Sequence, residues 1–331
     1  MKIIHSTIAG TGSYLPEDKI LNSSLLENTG LDDQGIQRRT GIRERRKANP
    51  QEASSDLATY AAQEALHSAN IDSSMIDFII LSTTSPDMFF PATACLVQRN
   101  LKARHASAFD ISAGCSGFLV GLSIADQLLK NPKVKNVLVI ASEVKTRFVN
   151  PKDPTTAIIF GDGAGAAVIQ KSQNSFGLIS LIMKSDGQYG DLIKIPAGGS
   201  RCPTTSETLR TGQNTITMRG ASLFRVAVEK TVSVITEILE RNKLSVSTLS
   251  YVVLHQANLR LIKAISKRLK FRDEQLVVSL DQIGNTSSSS LPITLDFLVK
   301  SRKLKGREWI LLSGFGAGLT WGAALIQWPE K

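Results

Sequence analysis

Apolar positions along this chain form two kinds of run. Some are short and continuous, as buried strands are, and others recur at three- and four-residue spacing, as helices packed on a sheet do. Residues 106–111 read as a strand and residues 118–130 as an apolar helix, with the small-residue turn Ser112-Ala113-Gly114-Cys115-Ser116-Gly117 between them. The pattern then repeats. Glu64-Ala65-Leu66 through Phe78-Ile79-Ile80-Leu81 is matched by Glu237-Ile238-Leu239 through Tyr251-Val252-Val253-Leu254, at an offset of 173 residues. Each copy reads as an amphipathic helix, a polar turn and a buried strand. At the same offset Phe118 falls on Leu291, which opens a second apolar helix, and residues 134–142 resemble 306–313. Gly161-Asp162-Gly163-Ala164-Gly165 and Gly314-Phe315-Gly316-Ala317-Gly318 share a glycine pattern, and both run into strands. The offset there falls from 173 to 153, which places some 20 extra residues in the first half, around 144–156. This order predicts a duplicated α/β fold with halves 1–173 and 174–331 and helices packed over mixed sheets. The helices 118–130 and 291–300, apolar nearly all round, are expected between the two sheets.

Composition narrows the class. The chain has 331 residues, 42% of them hydrophobic, enough for a large core, and no apolar run approaches the roughly 18 residues of a membrane span. Met1 to His5 enters a strand without the features of a signal peptide. Three cysteines, Cys95, Cys115 and Cys202, make no disulfide framework, so a reducing cytoplasmic setting is expected. No CxxC or HxxxH spacing offers a metal site, and none is expected. The net charge of +10 is not interleaved with aromatics, which are 6% of the chain. It fits an acidic protein partner or a phosphate-bearing substrate as well as nucleic acid.

Three residues carry candidate chemistry. Cys115 stands at the first turn of a predicted helix, where unpaired N–H groups favour an anion, and a thiol there is expected below its free pKa of roughly 8.5. His255 follows the strand 251–254, at a carboxyl end of the kind where α/β sheets collect ligands; a hydrogen-bonded core histidine is the plain alternative. Of the other histidines, His67 lies among charged helical neighbours, and His5 and His105 sit at strand edges. Asn285, in Gly284-Asn285-Thr286-Ser287-Ser288-Ser289-Ser290, is either a helix-capping residue or, under pseudo-twofold symmetry, the group facing the Cys115 turn across one pocket. A papain-like protease also uses Cys, His and Asn, on a different fold.

The Cys115 turn, His255-Gln256-Ala257-Asn258-Leu259-Arg260, Gly284-Asn285-Thr286-Ser287 and Gly314-Phe315-Gly316-Ala317-Gly318 together resemble β-ketoacyl-acyl-carrier-protein synthase III, a thiolase-fold condensing enzyme. The likeness extends from Ile8-Ala9-Gly10-Thr11-Gly12 to Trp321-Gly322 and includes Arg39-Thr40-Gly41-Ile42-Arg43-Glu44-Arg45 and Phe160-Gly161-Asp162-Gly163-Ala164-Gly165. It implies layered halves with pseudo-twofold symmetry. It also implies acyl loading of Cys115, then decarboxylative condensation with malonyl-acyl-carrier protein, with His255 and Asn285 as donors to the enolate oxygen. The oxyanion of acyl transfer would meet the N–H groups of Cys115 and Ala317, where alanine replaces the usual glycine and asks for negative φ. Arg39, Thr40, Asn258 and Arg260 would contact coenzyme A, a substrate carrier rather than a resident cofactor. Phe315 would pack beside the cluster, and Phe90 would reach across a homodimer interface near a buried Cys95. The basic helix 259–270, with Arg260, Lys263 and Lys267, and nearby Arg225 would dock an acidic carrier protein, an electrostatic contact. The cationic run 38–47 otherwise reads as a solvated loop.

Three departures from the family pattern bear on substrate. Gly35 stands for an adenine-stacking tryptophan, Pro154 for a second stacking arginine and Ala221 for a tunnel asparagine. The loop 197–214 is longer than usual and is expected to border the tunnel. These features suggest a divergent paralogue whose starter is not simple acetyl-coenzyme A, or arrives on a carrier protein. A non-condensing acyltransferase, moving the acyl group to an alcohol or amine, is the second reading, and a non-catalytic acyl-binding subunit the third. A biosynthetic thiolase would need a second, Cys-x-Gly cysteine near the C-terminus, which this chain lacks.

Overall fold

The computed structural model describes residues 6–172, 176–301 and 303–330. His5 and the predicted boundary at 173/174 lie outside the described residues. Ten strands build two sheets. The first comprises β1 (Ser6–Tyr14), β2 (Phe78–Ser82), β3 (Ser107–Ile111), β4 (Asn136–Val144) and β5 (Asp162–Lys171), in the order β1-β5-β4-β2-β3. The second comprises β6 (Gly177–Ser185), β7 (Tyr251–Leu254), β8 (Leu276–Val277), β9 (Trp309–Gly316) and β10 (Thr320–Gln327), in the order β6-β10-β9-β7-β8. Both sheets start with two antiparallel pairings and finish with two parallel ones. Strand for strand, the second sheet repeats the first, so the duplicated pattern in the sequence is a duplication in space.

Seven helices position the rest: α1 (Asp33–Thr40), α2 (Ser54–Ala69), α3 (Thr93–Asn100), α4 (Gly117–Leu128), α5 (Gly220–Arg241), α6 (Leu259–Leu269) and α7 (Ser290–Lys300). Helices α4 and α7 form the central layer. Phe118, Leu119 and Leu122 of one and Leu291, Leu295 and Leu298 of the other share a core with Val139, Ala324 and Ile326 from both sheets. Their nearly all-round apolar surface follows from having a sheet on either side. On the outer faces, Leu57, Ala61 and Ala65 of α2 meet Leu138, Ile140 and Ala166 of the first sheet. Ile235 and Ile238 of α5, with Ile262 and Ile265 of α6, meet Leu311 and Leu325 of the second. The layers run helix, sheet, helix, sheet, helix.

The expected insertion is the link between β4 and β5, which spans 145–161, whereas 317–319 suffice between β9 and β10. Arg45 anchors it. This guanidinium is fully buried and donates to the carbonyls of Ile20 and Ile158 and to Asn22 Oδ1, at 3.1, 2.8 and 2.8 Å. Burial lowers its pKa to about 10. The reading of 38–47 as a solvated loop therefore fails at Arg45, because three polar acceptors replace its water; Arg38, Arg39, Arg43 and Lys47 are exposed. The loop 197–214 also departs from expectation. It closes on itself through Ala197 N–H to Gln213 and Gly198 N–H to Cys202, and Ile193 and Met218, at its base, supply the cavity wall instead. Cys95, expected near a homodimer interface, is exposed on α3 in the single chain. His67 and His105 are exposed as well.

If α4 and α7 form the central core, Leu295→Ala in α7 should cost about 2–5 kcal/mol of unfolding free energy in urea titration. Leu209→Ala, at a position half exposed, should stay within about 0.5 kcal/mol.

Candidate active site

Cys115, His255 and Asn285 line one cavity of about 620 Å³, together with Phe315, Gly316 and Ala317. Its volume is that of a small-ligand site. The cysteine comes from the first half and the other two from the second, as a pocket on a pseudo-twofold axis requires.

Cys115 sits in a single 3₁₀ turn, Gly114–Ser116, that feeds α4. Gly114 has φ +55°, a conformation that favours glycine. A Cβ on it would lie 2.5 Å from Ala317 N, and a Cβ on Gly316 would lie 2.3 Å from Cys115 N. The Cys115 turn and the end of β9 therefore meet backbone to backbone, and Cys115 and Ala317 line the same cavity. Ala317 avoids positive φ and leaves it to Gly318, at φ +141°, so alanine fits. The hydroxyls of Ser116 and Thr320, 2.7 Å apart, both donate to the carbonyl of Ala113 and tie the turn to β10.

The expected low pKa of the thiol is not observed. Burial pushes it up to about 11, against a Ser287 hydrogen bond and the charge of Lys145, while Glu143 adds to the rise. Desolvation outweighs the groups that lower the thiol pKa, although Cys115 itself is half-buried in the cavity wall. The resting side chain is a thiol.

His255 follows β7, and burial lowers its pKa to about 3. Its Nδ1 lies 2.7 Å from Ser290 Oγ, which also accepts the Gln256 N–H at 3.2 Å. The Ser290 proton is then directed to Nδ1, which leaves the ring proton on Nε2. Phe315 packs edge-on against the imidazole, with centroids 5.4 Å apart. Asn285 is clamped at its backbone: its N–H donates to Ile159 and its carbonyl accepts from Gly161. Its Oδ1 accepts the Ser287 N–H at 2.8 Å, which assigns the amide so that Nδ2–H₂ remains for a ligand. The pocket thus presents a neutral thiol, a neutral imidazole and a carboxamide.

The outer residues are placed less evenly. Arg39, Thr40, Pro154, Ala221, Asn258 and Arg260 border the cavity. Thr40, however, donates its hydroxyl to the Ile36 carbonyl and accepts the Ile42 N–H. Asn258 caps α6 through the Arg260 N–H and donates to the Arg39 carbonyl. Both polar groups are committed to structure, whereas Arg39 and Arg260 are exposed at the rim. At Gly35 a Cβ would meet Asp32 Oδ1 at 2.7 Å, the carboxylate that caps α1 through the Gly35 N–H. Arg225, Lys263 and Lys267 are exposed on α5 and α6. Phe90 is 85% exposed beside Phe89 at 84%. Among the described residues no group of three or more His, Cys, Asp and Glu side chains could hold a metal ion.

Sequence reasoning passed over the apolar lining (Ile158, Ile159, Phe160, Leu223, Phe224) and the groups beneath the sulfur, Glu143, Lys145 and Ser287. The signal for the last was two opposite charges closing the apolar run of β4.

Three outcomes follow from this geometry. Imidazole NMR should show His255 as the Nε2–H tautomer with no titration near its ordinary pKa of 6.5. Because the unfolded ring takes a proton below 6.5 and the folded one only near 3, His255 should subtract stability progressively as pH falls through that window. Gly316→Ala should remove iodoacetamide reactivity at Cys115 by displacing its backbone, and peptide mapping reads this directly.

Comparison with known proteins agrees with the geometry. The family described as 3-oxoacyl-[acyl-carrier-protein] synthase III matches residues 109–187, and its C-terminal part matches 239–328. The β-ketoacyl-[acyl-carrier-protein] synthase III of Caldanaerobacter subterraneus is 45% identical over 327 residues, 99% of each chain. That of Clostridioides difficile is 45% identical over 321 residues, covering 97% of this chain and 98% of its own. The solved 3-oxoacyl-[acyl-carrier-protein] synthase III of Aquifex aeolicus superposes with a TM-score of 0.90 at 40% identity, covering 98% of this chain and 100% of that one. With its duplicated sheets and its Cys, His and Asn in one cavity, the chain belongs to the β-ketoacyl-acyl-carrier-protein synthase III family.

Proposed function

We propose that the protein is a condensing acyltransferase of fatty acid biosynthesis. Cys115 accepts an acyl group from a thioester, and malonyl-acyl-carrier protein then loses carbon dioxide and condenses with the acyl-enzyme to give a β-ketoacyl product. The observation that carries this reading is the convergence of Cys115, His255 and Asn285 on one cavity.

In the first stage the sulfur attacks the thioester carbonyl. The negative oxygen faces the N–H groups of Cys115 and Ala317, and the donor leaves as a thiol. The proton that the resting Cys115 thiol loses ends on the sulfur of the departing donor, so one thioester is exchanged for another. In the second stage the malonyl carboxylate leaves as carbon dioxide, and the electron pair moves to the thioester oxygen. His255 Nε2–H and Asn285 Nδ2–H are the donors for that oxygen. A neutral imidazole suits the role, because it donates one hydrogen bond without requiring a proton to be restored. Each such donor is worth roughly 3–4 kcal/mol at the transition state. The carbanion then attacks the acyl carbon and expels the Cys115 thiolate, which takes up one proton to return to the resting thiol. A transferase that only moves acyl groups would not need the two aimed donors.

Arg39 and Arg260 at the rim suit the phosphates of coenzyme A or of a carrier-bound pantetheine. With Gly35 and Pro154 offering no stacking surface, the adenine grip is weak, which favours a starter other than acetyl-coenzyme A or one delivered by a carrier protein. Arg260, Lys263 and Lys267 form the exposed face of α6, the docking face for an acidic carrier. Cytoplasmic operation as a homodimer completes the reading. Its support is the open edge strand β3 of the first sheet, a template for pairing with a second copy, flanked by exposed Met88, Phe89, Phe90 and Cys95. Among the described residues no helix is long and apolar enough to cross a membrane.

Intact-protein mass spectrometry against a panel of acyl-coenzyme A and acyl-carrier thioesters should show one acyl adduct on the wild type and none on Cys115→Ala. His255→Ala and Asn285→Ala should still load, yet release carbon dioxide from malonyl-carrier protein about 10²–10³-fold more slowly. If those variants decarboxylate at the wild-type rate, condensation at this site is refuted. Lys263→Glu with Lys267→Glu should raise the KM for carrier protein and flatten its salt dependence.

A further inference from the structure

Beneath the nucleophile lies a buried ion pair that the two-stage mechanism does not use. Glu143 and Lys145 close strand β4, with Lys145 Nζ 3.1 Å from Glu143 Oε2 and both side chains almost wholly buried. Glu143 is saturated with donors. Ser85 and Ser288 reach it at 2.7 and 2.8 Å, the Thr84 N–H at 3.2 Å, and Ser287 Oγ at 3.1 Å. Burial alone would raise its pKa, but Lys145 and these hydroxyls hold it below the ordinary carboxylate value. Lys145 also donates to Thr84 Oγ1. The network reaches the active site through one atom, Ser287 Oγ, which is 3.2 Å from Cys115 Sγ. Ser287 occupies φ +55°, a strained setting for a residue other than glycine, and its N–H fixes the Asn285 amide. A carboxylate only accepts, so the Ser287 hydroxyl proton points at Glu143. The oxygen left facing sulfur is then an acceptor for the S–H.

We propose that the Glu143–Lys145 pair, transmitted through the Ser287 hydroxyl, sets the protonation of the Cys115 thiol and so the rate of acyl loading. Glu143, Lys145 and Ser287 are positioning residues for the loading step proposed above. While Ser287 donates to Glu143, it accepts only a weak bond from the thiol, and its stronger bond is the one it can make to the thiolate. When the proton leaves, the hydroxyl turns to donate to the thiolate. Glu143 tolerates the loss because Lys145, Ser85, Ser288 and Thr84 remain. The two charges act on sulfur with opposite signs, Lys145 favouring the thiolate and Glu143 opposing it. The charged and titratable groups around the sulfur are these two below and His255 beside it, while Arg39 and Arg260 stand at the rim. Asp162, at the start of β5, is occupied by Thr146 and the Ala48 N–H.

The test is the pH–rate profile of Cys115 alkylation by iodoacetamide, read by peptide mapping on the full chain. It needs no substrate, so it is independent of whether condensation is the reaction. Lys145→Met should move the midpoint up by about one pH unit and slow alkylation about tenfold near neutral pH, with Lys145→Arg restoring it. Glu143→Gln should move the midpoint down, and Ser287→Ala up. A merely structural role would lower reactivity without opposite displacements of the two charge variants. Midpoints unmoved in the folded variants, or moved in the same direction by Lys145→Met and Glu143→Gln, overturn the proposal. If either charge variant fails to fold, Ser287→Ala decides alone, and an unmoved midpoint overturns it.

Discussion

The site depends on one approach between backbones. The Gly114–Cys115 turn of the first half and the Gly316–Ala317 end of β9 in the second lie so close that no Cβ fits on either glycine. This contact brings Cys115 and Ala317, from different halves, to the wall of one cavity. It also explains why glycine recurs at positions far apart in sequence, since side chains there would wedge the halves apart. The buried helices α4 and α7 supply the stiffness that keeps the approach in place, because each packs on both sheets.

Burial then sets the electrostatics. Away from water, the thiol and the imidazole both favour their neutral forms, the first by a rise in pKa and the second by a fall. The charged groups that survive nearby, Glu143 and Lys145, do so because they face each other and the carboxylate is ringed by donors. A neutral thiol beside a neutral donor suits chemistry in which negative charge develops on a thioester oxygen, where fixed donors act most strongly. The arginines and lysines of the rim are exposed, where they can attract an acidic partner without disturbing the interior.

Much of this was legible in the chain. Matching periodicities at a constant offset revealed the duplication, and the drop in offset placed the insertion that became 145–161. Cys115, His255 and Asn285 stood out because each sits where a strand ends or a helix begins, the places where side chains reach a shared pocket. Other readings failed for reasons local pattern cannot carry. The helix terminus at Cys115 suggested a low pKa, but burial depth, a property of the assembled halves, opposed it. Arg45 looked like one more solvated cation in a basic run, until Ile20, Asn22 and Ile158 closed around it.

What the amino-acid order determined by itself is what periodicity, glycine placement and residue type encode locally: two α/β halves, their internal helices and the identity of three chemical groups. Tertiary structure alone decided which of those groups lose water, which charges face each other and how far apart the reacting atoms stand. Protonation and hydrogen-bond direction depend on the dielectric and on partners more than a hundred residues away, as between Cys115 and Ser287. Those quantities come into being only when the two halves close on each other.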